Sequence, residues 1–174
     1  MAQYGDASTS GEENLVDFMA RFTGSEQFNR VFQEGMALVE ETADYLDGPG
    51  RAEARALARP AALAYASESM RLTTRLMQMA SWLLLQRAIS SGEISAETAA
   101  EEKDRINLEE PRSVQSGDIG ILPEGLADLI RRSRLLHGRI VKLDAKINAR
   151  EVLESRNPVA GHMDMLSQAF GKKG

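Results

Sequence analysis

Three stretches of this 174-residue chain place their apolar residues at helical spacing. In the first, about 25–46, Phe28, Phe32, Gly35, Val39, Thr42 and Leu46 advance in steps of 4, 3, 4, 3 and 4. Val31, Leu38 and Tyr45 form a flanking row. One broad apolar face of this kind predicts an amphipathic α-helix. Ser25 is placed to cap its start, with Glu26 suiting the positive end of the helix dipole. Asp47-Gly48-Pro49-Gly50 should stop it, because glycine tolerates left-handed geometry and proline cannot extend the hydrogen-bond ladder.

The second stretch runs over about 51–90, and Pro60 should kink or restart the helix there. Beyond Pro60, Leu63, Ala66, Met70, Thr73, Met77, Ala80 and Leu84 form one heptad-like row. Tyr65, Ser69, Leu72, Leu76, Met79 and Leu83 form a second, and Trp82, Leu85 and Ile89 a third. A single seam needs about two apolar positions per heptad, and this helix has more. It is therefore either central in a bundle or covered by a second chain.

The third stretch, about 123–151, carries the clearest period. Leu122, Leu126, Leu129, Ser133, Leu136, Ile140, Leu143 and Ile147 step alternately by 4 and 3. Pro123 suits the first turn of that helix. The polar connection 91–122 is too long for a bare loop in a compact domain, and Ser95 followed by AETAAEEK predicts a short capped helix within it.

The expected fold is all-α. An elongated antiparallel three-helix bundle occupies 24–154, with flexible tails at 1–23 and 155–174. Each tail carries a short apolar pattern: Leu15, Phe18, Met19 and Phe22 in one, Met163, Leu166 and Phe170 in the other. These can dock on the parent bundle or serve as helices that order on a partner.

Composition narrows the chemistry. A hydrophobic fraction of 43% with only 5% aromatics suits helix packing and excludes global disorder. The absence of cysteine removes disulfides, thiolate nucleophiles and most structural zinc sites. The N-terminus has neither a basic start nor an apolar core, so no secretory signal is expected, and the most apolar window, 72–89, is interrupted by Arg75 and Arg87. The expectation is a cytoplasmic protein.

The two histidines, His137 and His162, make neither a Glu-x-x-His nor a His-x-x-x-His pair, so no metal or other cofactor is expected. No nucleophile elbow occurs, and the Glu-Glu pairs at 40–41, 101–102 and 109–110 point about 100° apart on a helix, which does not make a catalytic dyad. Gly48-Pro49-Gly50 lacks both a preceding strand and the third glycine of a phosphate loop. No catalytic residue is assigned, and the chain is expected not to be an enzyme.

Charge is unevenly placed. Residues 131–150 hold seven basic residues against Asp144 alone, whereas 24–47 holds six acidic residues against Arg30. Either these are complementary flanks of neighbouring helices, or the basic ridge receives an acidic partner, protein or DNA. Candidate partner-binding residues are therefore Arg131, Arg134 and Arg139 with Met163, Leu166 and Phe170. The surplus apolar rows give Leu72, Leu76, Met79, Trp82 and Leu83 as a candidate dimer interface.

Residues 36–94, and within them the runs DYLDGPGR and ESMRLTTRLMQMASWLLLQRA, closely resemble the alphaproteobacterial regulator of CtrA degradation, the RcdA family. The third helix fits more loosely. The resemblance implies a three-helix bundle, dimeric in the crystal. It implies an adaptor role in cell-cycle-regulated proteolysis by ClpXP, docking on protease primed by a response-regulator partner and delivering substrates such as CtrA or further adaptors. It also implies a cytoplasmic protein that can be recruited to the cell pole, with its C-terminal tail taking part. The residues alone reach only a helical interaction module, and a DNA-associated helical regulator using the basic ridge is the alternative.

Overall fold

The computed structural model describes residues 20–109 and 119–155, and the regular elements among them are all helical. They are α1 (Glu26–Asp47), α2 (Pro49–Ala56), α3 (Arg59–Ser91), α4 (Ala96–Arg105) and α5 (Glu124–Ser155), with a 3-10 turn at Ile119–Ile121. The capping signals act as local chemistry predicts. The Ser25 hydroxyl accepts from the Phe28 amide at 3.2 Å, and the Ser95 hydroxyl accepts from the Thr98 amide at 3.2 Å. Gly92, at φ 69°, ends α3 in the left-handed conformation that glycine reaches without steric cost.

The expected second helix is two. Gly48 is only a joint, because Pro49 occupies the first turn of α2, where its missing N–H leaves nothing unpaired. The chain straightens at Leu57 and Ala58, and α3 restarts with Pro60 in its first turn. At the far end α5 runs four residues beyond the expected 151.

Cross-helix contacts fix the directions. Glu41 meets Arg132 and Glu34 meets Arg139, so α1 and α5 are antiparallel. Arg75 meets Ser133 and Trp82 meets Asp144, so α3 and α5 are parallel. The connection between α3 and α5 must then return along the whole bundle. It does so with α4 packed on α3, Lys103 bonded to Glu151, and the Leu108 carbonyl bonded to His137.

The core follows the clearest sequence stripe. Leu122, Leu126, Leu129, Ser133, Leu136, Ile140, Leu143 and Ile147 are all buried, facing Phe28, Val31 and Leu38 of α1 and the inner side of α3. Burying a large apolar side chain contributes roughly 1.5–3 kcal/mol, so this face dominates the stability. Gly35 lets α1 and α3 close together: a Cβ added there would lie 2.7 Å from Leu83 Cδ1. At the other end the Tyr45 ring fills space against Gly50 and Gly125, and its hydroxyl donates to Glu53 at 2.5 Å.

The expected N-terminal tail is shorter than 1–23. Residues 20–23 form a helical turn, and Phe22 packs on the core with its ring 5.4 Å from that of Phe28. Leu15, Phe18 and Met19 lie outside the described residues, as do Met163, Leu166 and Phe170.

Candidate interaction surfaces

The long helix α3 presents two apolar faces. Leu72, Leu76, Met79, Trp82 and Leu83, expected at a dimer interface, are 0–4% exposed in the single chain. They belong to the core, and that assignment is corrected. The burial comes from α1 on one side and α5 on the other, which together use the row that the sequence offered to a partner. The row left outside is Leu63, Met70, Met77 and Leu84, which are 68%, 72%, 66% and 53% exposed. They recur every seven residues along one side of the helix, a stripe about 32 Å long. A continuous apolar stripe of this kind is a docking surface, unlike single scattered leucines.

Polar groups on the inner face of α3 blur the distinction in sequence. Glu68, Arg75 and Gln86 are buried among the leucines. Arg75 donates to the Ser133 hydroxyl at 2.9 Å, and Arg71 donates to Glu68 at 2.9 Å. Trp82 Nε1 donates to Asp144 Oδ1 at 2.8 Å, fixing α3 to α5. Gln86 is fully buried, and neither end of its amide finds a partner among the described residues.

Four arginines of the basic ridge on α5 meet carboxylates of the same chain. Arg131 bonds Glu124 at 2.5 Å, Arg139 bonds Glu34 at 2.5 Å, and Arg134 lies 3.9 Å from the buried Glu68. Arg132 grips Glu41 with two bonds of 2.7 Å, a planar fork-on-fork pairing. The hydrogen bond from Arg132 holds the Glu41 carboxyl below its usual range, and the same bond raises the guanidinium. Arg131, Arg134 and Arg139, expected to bind a partner, thus face carboxylates of their own chain while their side chains stay about a third to a half exposed. Met163, Leu166 and Phe170 are outside the described residues.

A second surface was not anticipated from sequence. An open groove of about 1110 Å³ runs between α5 and the returning connection. Ile106 and Leu108 line one wall, Val141 and Val152 the other, and Trp82 with Asp144 its floor. His137 closes one end by donating from Nε2 to the Leu108 carbonyl at 2.7 Å, which makes it a structural clamp. The apolar and small α5 residues of this wall, Gly138, Val141 and Val152, lie beside the main stripe in the sequence. No helix among the described residues is long and apolar enough to cross a membrane.

The comparisons match this architecture. Residues 19–170 match the family described as protein of unknown function, DUF1465. The crystal structure of RcdA from Caulobacter crescentus CB15 is 50% identical over 74% of this chain and 96% of that one, with a TM-score of 0.59. The chain belongs to the RcdA family. A search of curated proteins finds no match. The RcdA likeness fits the expectation drawn from DYLDGPGR and ESMRLTTRLMQMASWLLLQRA. The first run builds the α1–α2 joint around Tyr45, and the second supplies both faces of α3.

Proposed function

We propose that this RcdA-family chain is a non-enzymatic adaptor. It binds substrates such as CtrA, or further adaptors, and delivers them to ClpXP primed by a response-regulator partner in cell-cycle-regulated proteolysis. The proposal includes cytoplasmic action with recruitment to the cell pole. An adaptor works by raising the local concentration of one protein beside another, so it requires docking surfaces and no reactive group.

The observation that carries the proposal is the uncovered stripe of Leu63, Met70, Met77 and Leu84 on a chain half identical to RcdA. The proposal assigns that stripe to a second copy of this chain. Its seven-residue repeat is self-complementary when two α3 helices meet antiparallel, with Met70 against Met77 of the second copy and Leu63 against Leu84. The DNA-binding alternative is not favoured, since Arg131, Arg132, Arg134 and Arg139 already face carboxylates of their own chain.

The test is reconstituted degradation of a CtrA-class substrate by ClpXP and the primed response regulator, with and without this chain. The expected result is a degradation rate that rises with adaptor concentration and then falls when excess adaptor binds protease and substrate separately. A rate independent of the chain at every concentration removes the proposal.

A further inference from the structure

We propose that Arg51, Arg55 and Arg59 form a docking patch for an acidic peptide segment of another protein. The inference does not depend on the adaptor proposal, since it concerns what this patch binds and not what the chain delivers.

The contrast with α5 points to it. There four arginines meet Glu34, Glu41, Glu68 and Glu124 of the same chain. Arg51, Arg55 and Arg59 are exposed, and no side chain of the three makes an ion pair or a hydrogen bond among the described residues.

Local geometry gives the reason. α2 and the residue after it turn one side inward: Gly50 is buried, and Ala54 and Leu57 pack on the core. Arg51 and Arg55 share a flank of α2, about 6 Å apart along its axis. Glu53, the only carboxylate of α2, is two residues from each and so projects about 160° away around the helix. Its carboxylate accepts from the Tyr45 hydroxyl at 2.5 Å. Leu57 and Ala58 are extended, and four residues of extended chain reach at most about 14 Å, which keeps Arg59 beside Arg55.

The platform is held from below. A Cβ on Gly50 would lie 2.6 Å from the Tyr65 hydroxyl oxygen and 2.7 Å from Tyr45 Cε1, so α2 sits directly on those two rings. Guanidinium groups carried on an anchored helix lose less freedom on binding than groups on a loose one.

The chemistry of the occupant follows from the groups that face it. A guanidinium presents a planar fork that matches the two oxygens of a carboxylate. A segment with carboxylates one helical turn apart therefore meets Arg51 and Arg55 together. A long polyanion such as a nucleic acid is disfavoured by the net charge of −5, and by Glu40, Asp44 and Asp47, exposed at the end of α1 that leads into the patch. A short acidic segment can cover the patch alone.

The test uses the full chain and a fluorescein-labelled alanine peptide with glutamate at every fourth position, read by fluorescence anisotropy at low salt. Wild type should bind it at least tenfold more tightly than the same peptide with glutamine in place of glutamate. Arg51→Gln, Arg55→Gln and Arg59→Gln together should remove that preference. Arg51→Lys, Arg55→Lys and Arg59→Lys together keep the charge without the fork and should weaken binding about threefold. Lys142→Gln with Lys146→Gln, both exposed on α5, should leave the affinity unchanged. Equal affinity for the two peptides, a preference that survives the glutamine substitutions, an equal loss in the α5 variant, or tighter binding of a single-stranded oligonucleotide overturns the inference. Sedimentation of the glutamine variant should match wild type, and altered self-association would assign the patch to a second copy and overturn it as well. In the unsubstituted chain the peptide should move the side-chain Nε–H resonances of Arg51 and Arg55. Unmoved resonances overturn it equally.

Discussion

The two faces of α3 have nearly the same composition and opposite fates. The inner face, Leu72, Leu76, Met79 and Leu83, is at most 4% exposed and closes against α1 and α5. The outer face, Leu63, Met70, Met77 and Leu84, is more than half exposed. If hydrophobicity alone decided, the face carrying Glu68, Arg75 and Gln86 would be turned outward. Two of those polar groups reach partners on the inside, Ser133 for Arg75, and Arg71 with Arg134 for Glu68, and only Gln86 finds none among the described residues. What separates the faces is therefore the fit to neighbouring helices, with the cleaner stripe left over for association.

The largest effect expected from breaking this contrast is on the inner face. Leu76→Asp with Leu83→Asp places two uncompensated charges in the core, at a combined cost above about 5 kcal/mol. The cooperative far-UV circular dichroism melt should vanish. A folded chain carrying both substitutions would mean that the core has been placed on the wrong side of the helix.

A smaller change of opposite sign sharpens the same point. Gln86 sits fully buried with its amide unpaired among the described residues. Gln86→Leu removes that desolvated amide and should stabilise the chain by about 1 kcal/mol, raising the melting midpoint by roughly 2–4 °C. A fall in the midpoint would show that the amide has a partner that the substitution removes.

The top of the inner face answers to pH. Burial, and then the neighbouring Glu53 carboxylate, pushes the Tyr65 hydroxyl above its ordinary value of 10.0. Tyr45 moves the same way from burial and its bond to Glu53. In both cases the unfolded chain releases its proton first as pH rises. The stabilisation is thus fully present below about pH 10 and is lost progressively above it. Melting midpoints should be flat from pH 7 to 9 and fall beyond 10. Tyr45→Phe should reduce that alkaline slope, and an unchanged slope would locate the titration elsewhere.

The α5 stripe was legible in sequence because that helix buries a single seam. Period and burial therefore coincide from Leu122 to Ile147. The caps at Ser25 and Ser95 were legible because they are local chemistry, decided within four residues. α3 was not, since it is apolar on most sides and the choice between its rows depends on where α1 and α5 lie. The basic ridge left two readings in sequence, and only the fold brings four of its arginines within reach of Glu34, Glu41, Glu68 and Glu124. The groove stayed hidden because its walls, Leu108 and Val141, are far apart in the chain and meet only through the returning connection.

The stripe on α3 is the claim on which the rest turns, and sedimentation velocity of the full chain tests it most directly. The account predicts a wild-type dimer of about 38 kDa, twice the 19.1 kDa chain. Met70→Asp with Met77→Asp should give a folded monomer whose melt is shifted little in a dilute sample. A wild-type chain that sediments as a monomer at every concentration, or a double variant that remains a dimer, would contradict it.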